Sequence, residues 1–175
     1  MLLTWMPIYL VKARGFSLEE MGVYAMFPYL AMLLAANGAG WLADGLIHRG
    51  MSITRVRKVF QSICFIGSAI CLLLLSATPS PQLAVLYISL GLGCVAASAA
   101  GFLVNHLDIG PRYAGVLMGV TNTAGTVAGI LAPAATGFIV QFSGSWGPVF
   151  YLAASISLIG EVVWLLFATG KRVFE

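Results

Sequence analysis

The sequence predicts an all-α fold, a polytopic bundle of membrane-crossing helices. Three observations carry that prediction. First, only 9% of the 175 residues are charged and 60% are hydrophobic, whereas a water-facing domain carries about 25% charge. Too little charge is present to cover a surface in contact with water. Second, the apolar residues run in stretches of about 20, the length that crosses a ~30 Å hydrocarbon core at ~1.5 Å per residue. Third, the charges sit in short segments between those stretches, and basic residues are weighted to alternate segments.

Taken in order, residues 1–11 (MLLTWMPIYLV) read as a partial span. Eleven residues rise about 17 Å, roughly half a hydrocarbon core. The expectation is therefore a chain that begins within a helix, as a truncated product, a partial gene model or a fragment. KARGFSLEE is a polar loop, and Ser17 with Glu20 three residues on forms a capping-box pattern that starts the next helix. That span covers 21–46, with Pro28 as a possible kink and Gly38 and Gly40 for close packing. Further spans cover 59–77, 83–104, 113–140 and 149–168, separated by the TPSPQ turn, the NHLDIGPR segment and the FSGSWGP turn. Cys64, Cys71 and Cys94 lie inside apolar stretches and read as small hydrophobes, with no metal-ligand spacing around them.

The basic residues give the direction. Alternation puts Arg49, Arg55, Arg57, Lys58, Arg112, Lys171 and Arg172 on one side and only Lys12 and Arg14 on the other. Such an asymmetry places the C-terminus and the basic loops on the cytoplasmic, or equivalent, side. The run near Arg55 is then a topology signal beside anionic lipid and not a nucleic-acid site. No Lys or Arg falls inside a complete predicted span, although a cavity for anions calls for positive charge.

The stretch Asp108–Val140 has one distinctive face. At about 100° per residue, Gly119, Asn122, Thr126, Gly129, Pro133 and Gly137 fall within roughly 40° of Gly115. The far side carries Leu117, Val120, Ala124, Val127, Leu131 and Phe138. A small, polar face turns to protein or to a cavity, and a greasy face to lipid or neighbouring helices.

Two local motifs stand out. Gly40-Trp-Leu-Ala-Asp44-Gly45 followed by Arg49, Arg55, Arg57 and Lys58 puts an acid at a helix end beside spaced arginines. Asp44 can pair with Arg49 or Arg55 across the loop, or sit against a neighbouring helix N-terminus. Such a contact could hold in one conformation and release in another. A solvated, topology-setting loop is the plainer reading. This motif resembles the loop signature of the major facilitator superfamily. The segment NHLDIGPRYAGVLMGVTNTAGT resembles the anion:cation symporter family within it through Asn105-His106-Leu107-Asp108, Pro111, Tyr113-Ala114, Gly119 and Asn122. That group includes the sodium/phosphate cotransporters, sialin, the vesicular glutamate transporters and the plant and algal phosphate and ascorbate transporters. RGMSITRVRKVFQSICFIG and FATGKRVF look most like its plastid and endomembrane phosphate-transporter branch.

The resemblance spans the chain and implies the C-terminal six-helix half of a twelve-helix fold, with the first helix truncated. It implies alternating access around a cavity between two halves, sodium or protons as coupling ion, no other cofactor, and a small anion as substrate. The implied partners are the lipid bilayer and the missing N-terminal half; the cavity's positive charge would come from that half or from the missing start of the first helix. A plastid or endomembrane site is implied, with the plasma membrane as the alternative.

By family analogy Asn122 and Ser98 sit on cavity-lining helices, and Thr126 shares the face of Asn122 one turn on. Each has a plainer role in helix–helix packing. Asp44, Arg49 and Arg55 would form the conformational lock. Trp5 and Tyr9 either line the cavity or anchor the interface. Glu161, an acid well inside a span, is expected to snorkel or make a local hydrogen bond, with a proton-carrying role as the alternative.

An enzyme is not expected. His106 and Ser145, which might suggest a catalytic pair, fall at opposite membrane faces, about 30 Å apart. The other function considered is a non-transporting half, either regulatory and receptor-like or a non-functional gene product.

Overall fold

The computed structural model describes residues 2–174; Met1, at the head of the partial first span, and Glu175, at the end of the tail, lie outside the described residues. The described residues are helical, with no strand among them. Helix α1 (Leu2–Ile8) runs into a π-helical turn, Tyr9–Ala13. Ser17 then starts α2 (Leu18–Tyr24) through the expected capping box: its Oγ accepts from Glu20 N at 3.1 Å, and its own N–H donates to Glu20 Oε2 at 2.9 Å. Helix α3 (Met26–His48) follows after Ala25. The division falls one turn before Pro28, whose missing N–H leaves the Tyr24 carbonyl without its helical donor.

The next two spans are also interrupted. Helix α4 (Ile53–Ser62) passes through a π-helical turn, Ile63–Gly67, into α5 (Ser68–Ala77). Helix α6 (Pro81–Ala96) ends in a tight turn, Ala97–Ala99, before α7 (Phe102–Ile109). By contrast α8 (Ala114–Ser143) is continuous for 30 residues, and α9 (Gly147–Phe167) for 21. Five of these units are long and apolar enough to cross a membrane: Leu18–His48, Ile53–Ala77, Pro81–Ile109, Pro111–Ser143 and Gly147–Phe167. The chain is an integral membrane protein.

The second of these starts at Ile53, not near residue 59. Ser52 has the extended backbone of a helix N-cap. Arg57 and Lys58 therefore lie in the first turns of a spanning helix and not in a loop. The expectation that spans contain no Lys or Arg is corrected at this point, because Arg57 is only 6% exposed.

Helix α6 is the middle of the bundle, packed on α3 and on α5, which in turn packs on α9. Small residues permit the approach. A Cβ on Gly91 would stand 3.1 Å from Cys71 Cβ, and one on Gly67 would stand 2.6 Å from Cys94 Sγ. The cysteines thus fill space between helices. The main core joins Tyr9, Leu10, Leu75, Ile88, Leu92 and Phe150, and a smaller one at the basic end joins Ala43, Val56, Phe60 and Ala97. Tyr9 belongs to this core, stacked edge-on against Trp146 and Phe150. Helix α8 stands at the periphery, touching α7 and α9, and Thr136 is its one buried residue.

Candidate functional site

At the basic end, α7 is a hub. Three motif residues on its short length reach three different elements. Asn105 Nδ2 donates to the Thr169 carbonyl in the C-terminal tail at 2.9 Å. His106 Nε2 lies 3.1 Å from Thr121 Oγ1 on α8, and its Nδ1 lies 3.1 Å from the Leu103 carbonyl. Asp108 receives a two-pronged contact from Arg57 on α4, Nε to Oδ2 at 2.6 Å and Nη2 to Oδ1 at 3.3 Å. Paired N–H donors on a carboxylate fix direction as well as charge.

Helix α4 also holds the break between α6 and α7. Arg57 Nη1 donates to the Ala100 carbonyl at 3.0 Å, and one turn on Gln61 Oε1 accepts from Phe102 N at 3.1 Å. Both are buried. These bonds satisfy backbone groups that the interrupted helix leaves without partners. The approach is so close that a Cβ on Gly101 would stand 2.9 Å from Gln61 Oε1 and 3.0 Å from its backbone nitrogen. The tail completes the cluster: Val173 N and Phe174 N both donate to the Ile109 carbonyl, at 2.8 and 3.1 Å, and Gly170 N donates to Thr54 Oγ1 at 2.9 Å.

The loop residues expected as a lock are not joined. Asp44, Arg49 and Arg55 are exposed, and the ion pair among the described residues is Arg57–Asp108. The choice of Arg57 over Arg55 for this pair has a simple origin. Arg55 and Arg57 are about 200° apart on a helix, and it is Arg57 that shares the buried stripe of Val56, Phe60 and Gln61. Asp44 contributes only its carbonyl, 2.8 Å from His48 Nδ1.

Asn122 and Thr126 lie on the exposed side of α8. Thr126 Oγ1 donates to the Asn122 carbonyl at 2.9 Å, and the Asn122 amide makes no hydrogen bond among the described residues. Farther along the same face, Trp5 Nε1 donates to the Pro133 carbonyl at 3.1 Å, and a Cβ on Gly137 would meet the Trp5 ring at 3.3 Å. The small face is thus covered by α1 at one end and open at the other, where Cβ atoms on Gly115, Gly119 and Gly129 would meet nothing. Ser98 is half-buried in the turn between α6 and α7, which packs chiefly on α3.

Glu161 is 5% exposed, and its Oε1 accepts from Ser62 Oγ at 2.6 Å. Its Oε2 and the neighbouring Trp164 Nε1 are buried without hydrogen-bond partners among the described residues. The acid is held locally and does not snorkel.

A bundle of membrane-crossing helices, with interrupted spans and one small-residue face left open over part of its length, has the build of a polytopic membrane transporter domain. The Major Facilitator Superfamily model matches residues 1–173, and the chain belongs to that family, one of transporters and not of enzymes. It is 50% identical over 174 residues to "Probable anion transporter 4, chloroplastic" of Oryza sativa subsp. japonica, covering 99% of this chain and 29% of that protein. It is equally similar, at 50%, to "Ascorbate transporter, chloroplastic" of Arabidopsis thaliana, again over 99% of this chain and 32% of the relative. "Sodium-dependent phosphate transport protein 1, chloroplastic" of Arabidopsis thaliana is 47% identical, over 99% of this chain and 34% of that protein. The chain spans about a third of the length of these relatives.

Proposed function

We propose that this chain forms the C-terminal six-helix half of a secondary active anion transporter that works by alternating access. The substrate is inorganic phosphate or an organic anion such as ascorbate, coupled to sodium or protons. The membrane is that of a plastid, with the C-terminus and basic loops on the cytoplasm-equivalent side. The observation that carries the reading is the open end of the small face on α8, where among the described residues the Asn122 amide has no hydrogen-bond partner and Cβ atoms on the neighbouring glycines would meet nothing. The names of the relatives supply the substrate class.

In this reading Asn122, with Thr126 one turn on and Ser98 on the broken span, contacts the anion. An uncharged amide donates to an anion's oxygens without adding a charge that would slow release. The Arg57–Asp108 hub holds one conformation together at the basic end, and Asp44, Arg49 and Arg55 stand at its rim to meet the other half of the transporter. The lipid bilayer and the N-terminal six-helix half are its partners.

The test uses the complete transporter in proteoliposomes, with labelled phosphate or ascorbate and an imposed sodium or proton gradient. Asn122→Ala is expected to cut uptake severalfold while expression and folding persist. Unchanged affinity and rate in that variant would return the α8 face to packing alone. Concentrative uptake by the 175-residue chain alone would contradict its role as half of a cavity.

A further inference from the structure

At the end of the bundle opposite the basic hub lies a second polar feature. A cavity of about 390 Å³ opens between the π-helical end of the first helix, the end of α5 and the turn joining α8 to α9. Its walls are mostly polar, unlike the apolar groove of about 450 Å³ between α8 and α9. Lys12, Arg14, Ser76 and Ser145 line it, together with Tyr9 and Trp146. Lys12 and Arg14 are the two basic residues on this side of the predicted topology, and both face one cavity.

Arg14 is held in place. Its Nε donates to Tyr9 Oη at 2.7 Å, its Nη2 donates to the Leu75 carbonyl at 3.1 Å, and the guanidinium lies 5.1 Å from the Tyr9 ring centre. A guanidinium has five N–H donors; these two bonds leave three for a ligand. Among the described residues no acidic side chain lines the cavity. The acids at the start of the adjoining helix α2, Glu19 and Glu20, are exposed, and Glu20 is occupied by the capping box on Ser17. A half-buried arginine with a lysine beside it and no carboxylate is a site that attracts an anion. α5 ends at the cavity with its carbonyls, one of which Arg14 already engages, and α9 begins there.

The opposite wall is preformed. Gly144 turns the chain with φ +65°, a conformation that favours glycine. Ser143 Oγ donates to the Ser145 carbonyl at 3.0 Å, and Ser145 Oγ accepts from Gly147 N at 3.2 Å. The Ser145 O–H remains free to donate.

We propose that this cavity is an anion-binding site for a phosphate-type oxyanion, bound by Arg14 and Lys12 with the Ser145 hydroxyl. The oxyanion is either a free ion or the phosphate of a lipid headgroup in that leaflet. The site concerns the surface of the bundle and stands whether or not Asn122 contacts a transported substrate.

The test is residue-specific acylation of lysines in the whole chain, held in nanodiscs of zwitterionic lipid at constant ionic strength and read by mass spectrometry. Inorganic phosphate is the probe, and Lys171 in the exposed tail is the internal control. With phosphate at about ten times its Kd, modification of Lys12 slows about tenfold, as 1 + [L]/Kd requires, and that of Lys171 does not change. Arg14→Gln removes the protection. Arg14→Lys, which keeps the charge and loses the fork, retains a reduced part of it and serves where Arg14→Gln does not fold. Repeating the measurement in nanodiscs containing phosphatidylglycerol identifies the source: Arg14-dependent protection without added phosphate assigns the site to headgroups. Equal slowing of Lys12 and Lys171, or protection that survives Arg14→Gln, overturns the proposal. No transport is measured, so the result is independent of the reading of α8.

Discussion

The broken span α6–α7 and the continuous helix α8 are both rich in small residues, yet those residues do opposite things. On α6–α7 they bring neighbours into contact: Gly91 receives Cys71, and Gly101 receives Gln61. The interruption this creates is then held by bonds from Arg57 and Gln61. On α8, Cβ atoms on Gly115, Gly119, Gly125 and Gly129 would meet nothing among the described residues, and Thr123 and Thr126 bond back to their own helix. A small residue in a membrane helix is therefore no guide by itself to internal packing. The partner decides its role, and for most of α8 that partner is not an element of this bundle.

The comparison is broken most forcefully at Arg57. Arg57→Ala leaves the partly buried Asp108 without its cation and the Ala100 carbonyl without its donor. Loss of one member of a fully buried pair destabilises by about 3–5 kcal/mol; for this part-buried pair the expected loss is the lower end of that range or less, measured as unfolding of the detergent-solubilised chain. Asp44→Ala, at an exposed position, is expected to leave the same transition unmoved. An equal loss for both variants would mean that the clasp lies in the loop after all.

A smaller effect is expected at Gly101. Gly101→Ala forces a methyl onto Gln61, whose backbone nitrogen cannot rotate away, and overpacking of this kind costs about 1–3 kcal/mol. The weakest effect should come from Gly119→Ala on α8, which meets no obstacle and gains helix propensity, a stabilisation of up to about 1 kcal/mol in this chain. If the two alanines had the same sign and size in a thermal unfolding assay, the contrast between the spans would be lost.

The all-helical fold was legible because composition and stretch length leave no alternative to membrane helices. The capping box at Ser17 could be read directly, since its chemistry is complete within four residues. The hub was legible only in parts. Arg57 and Asp108 each lay in a motif, but they are 51 positions apart, and their pairing depends on how α4 meets α7. One clue was present: the Val56, Phe60 and Cys64 stripe continues the helix of the third span back through Arg57. Reading 59 as its start hid that clue. Ser98 could be placed on its span, but the turn around it could not be foreseen, because Ala97–Ala99 has ordinary helix-forming residues and the break is stabilised by side chains from another helix. Tyr9 is part of an aromatic cluster with residues near position 150, again a product of tertiary proximity.

The docked tail has a practical consequence for anyone labelling this protein. Residues from Thr169 to Phe174 supply partners to Asn105, Thr54 and Ile109. A reporter fused within that segment, or a deletion ending at Ala168, would unfasten the basic end of the bundle before it reported on anything. A fluorescent or affinity tag joined beyond Phe174 through a flexible spacer leaves those bonds in place.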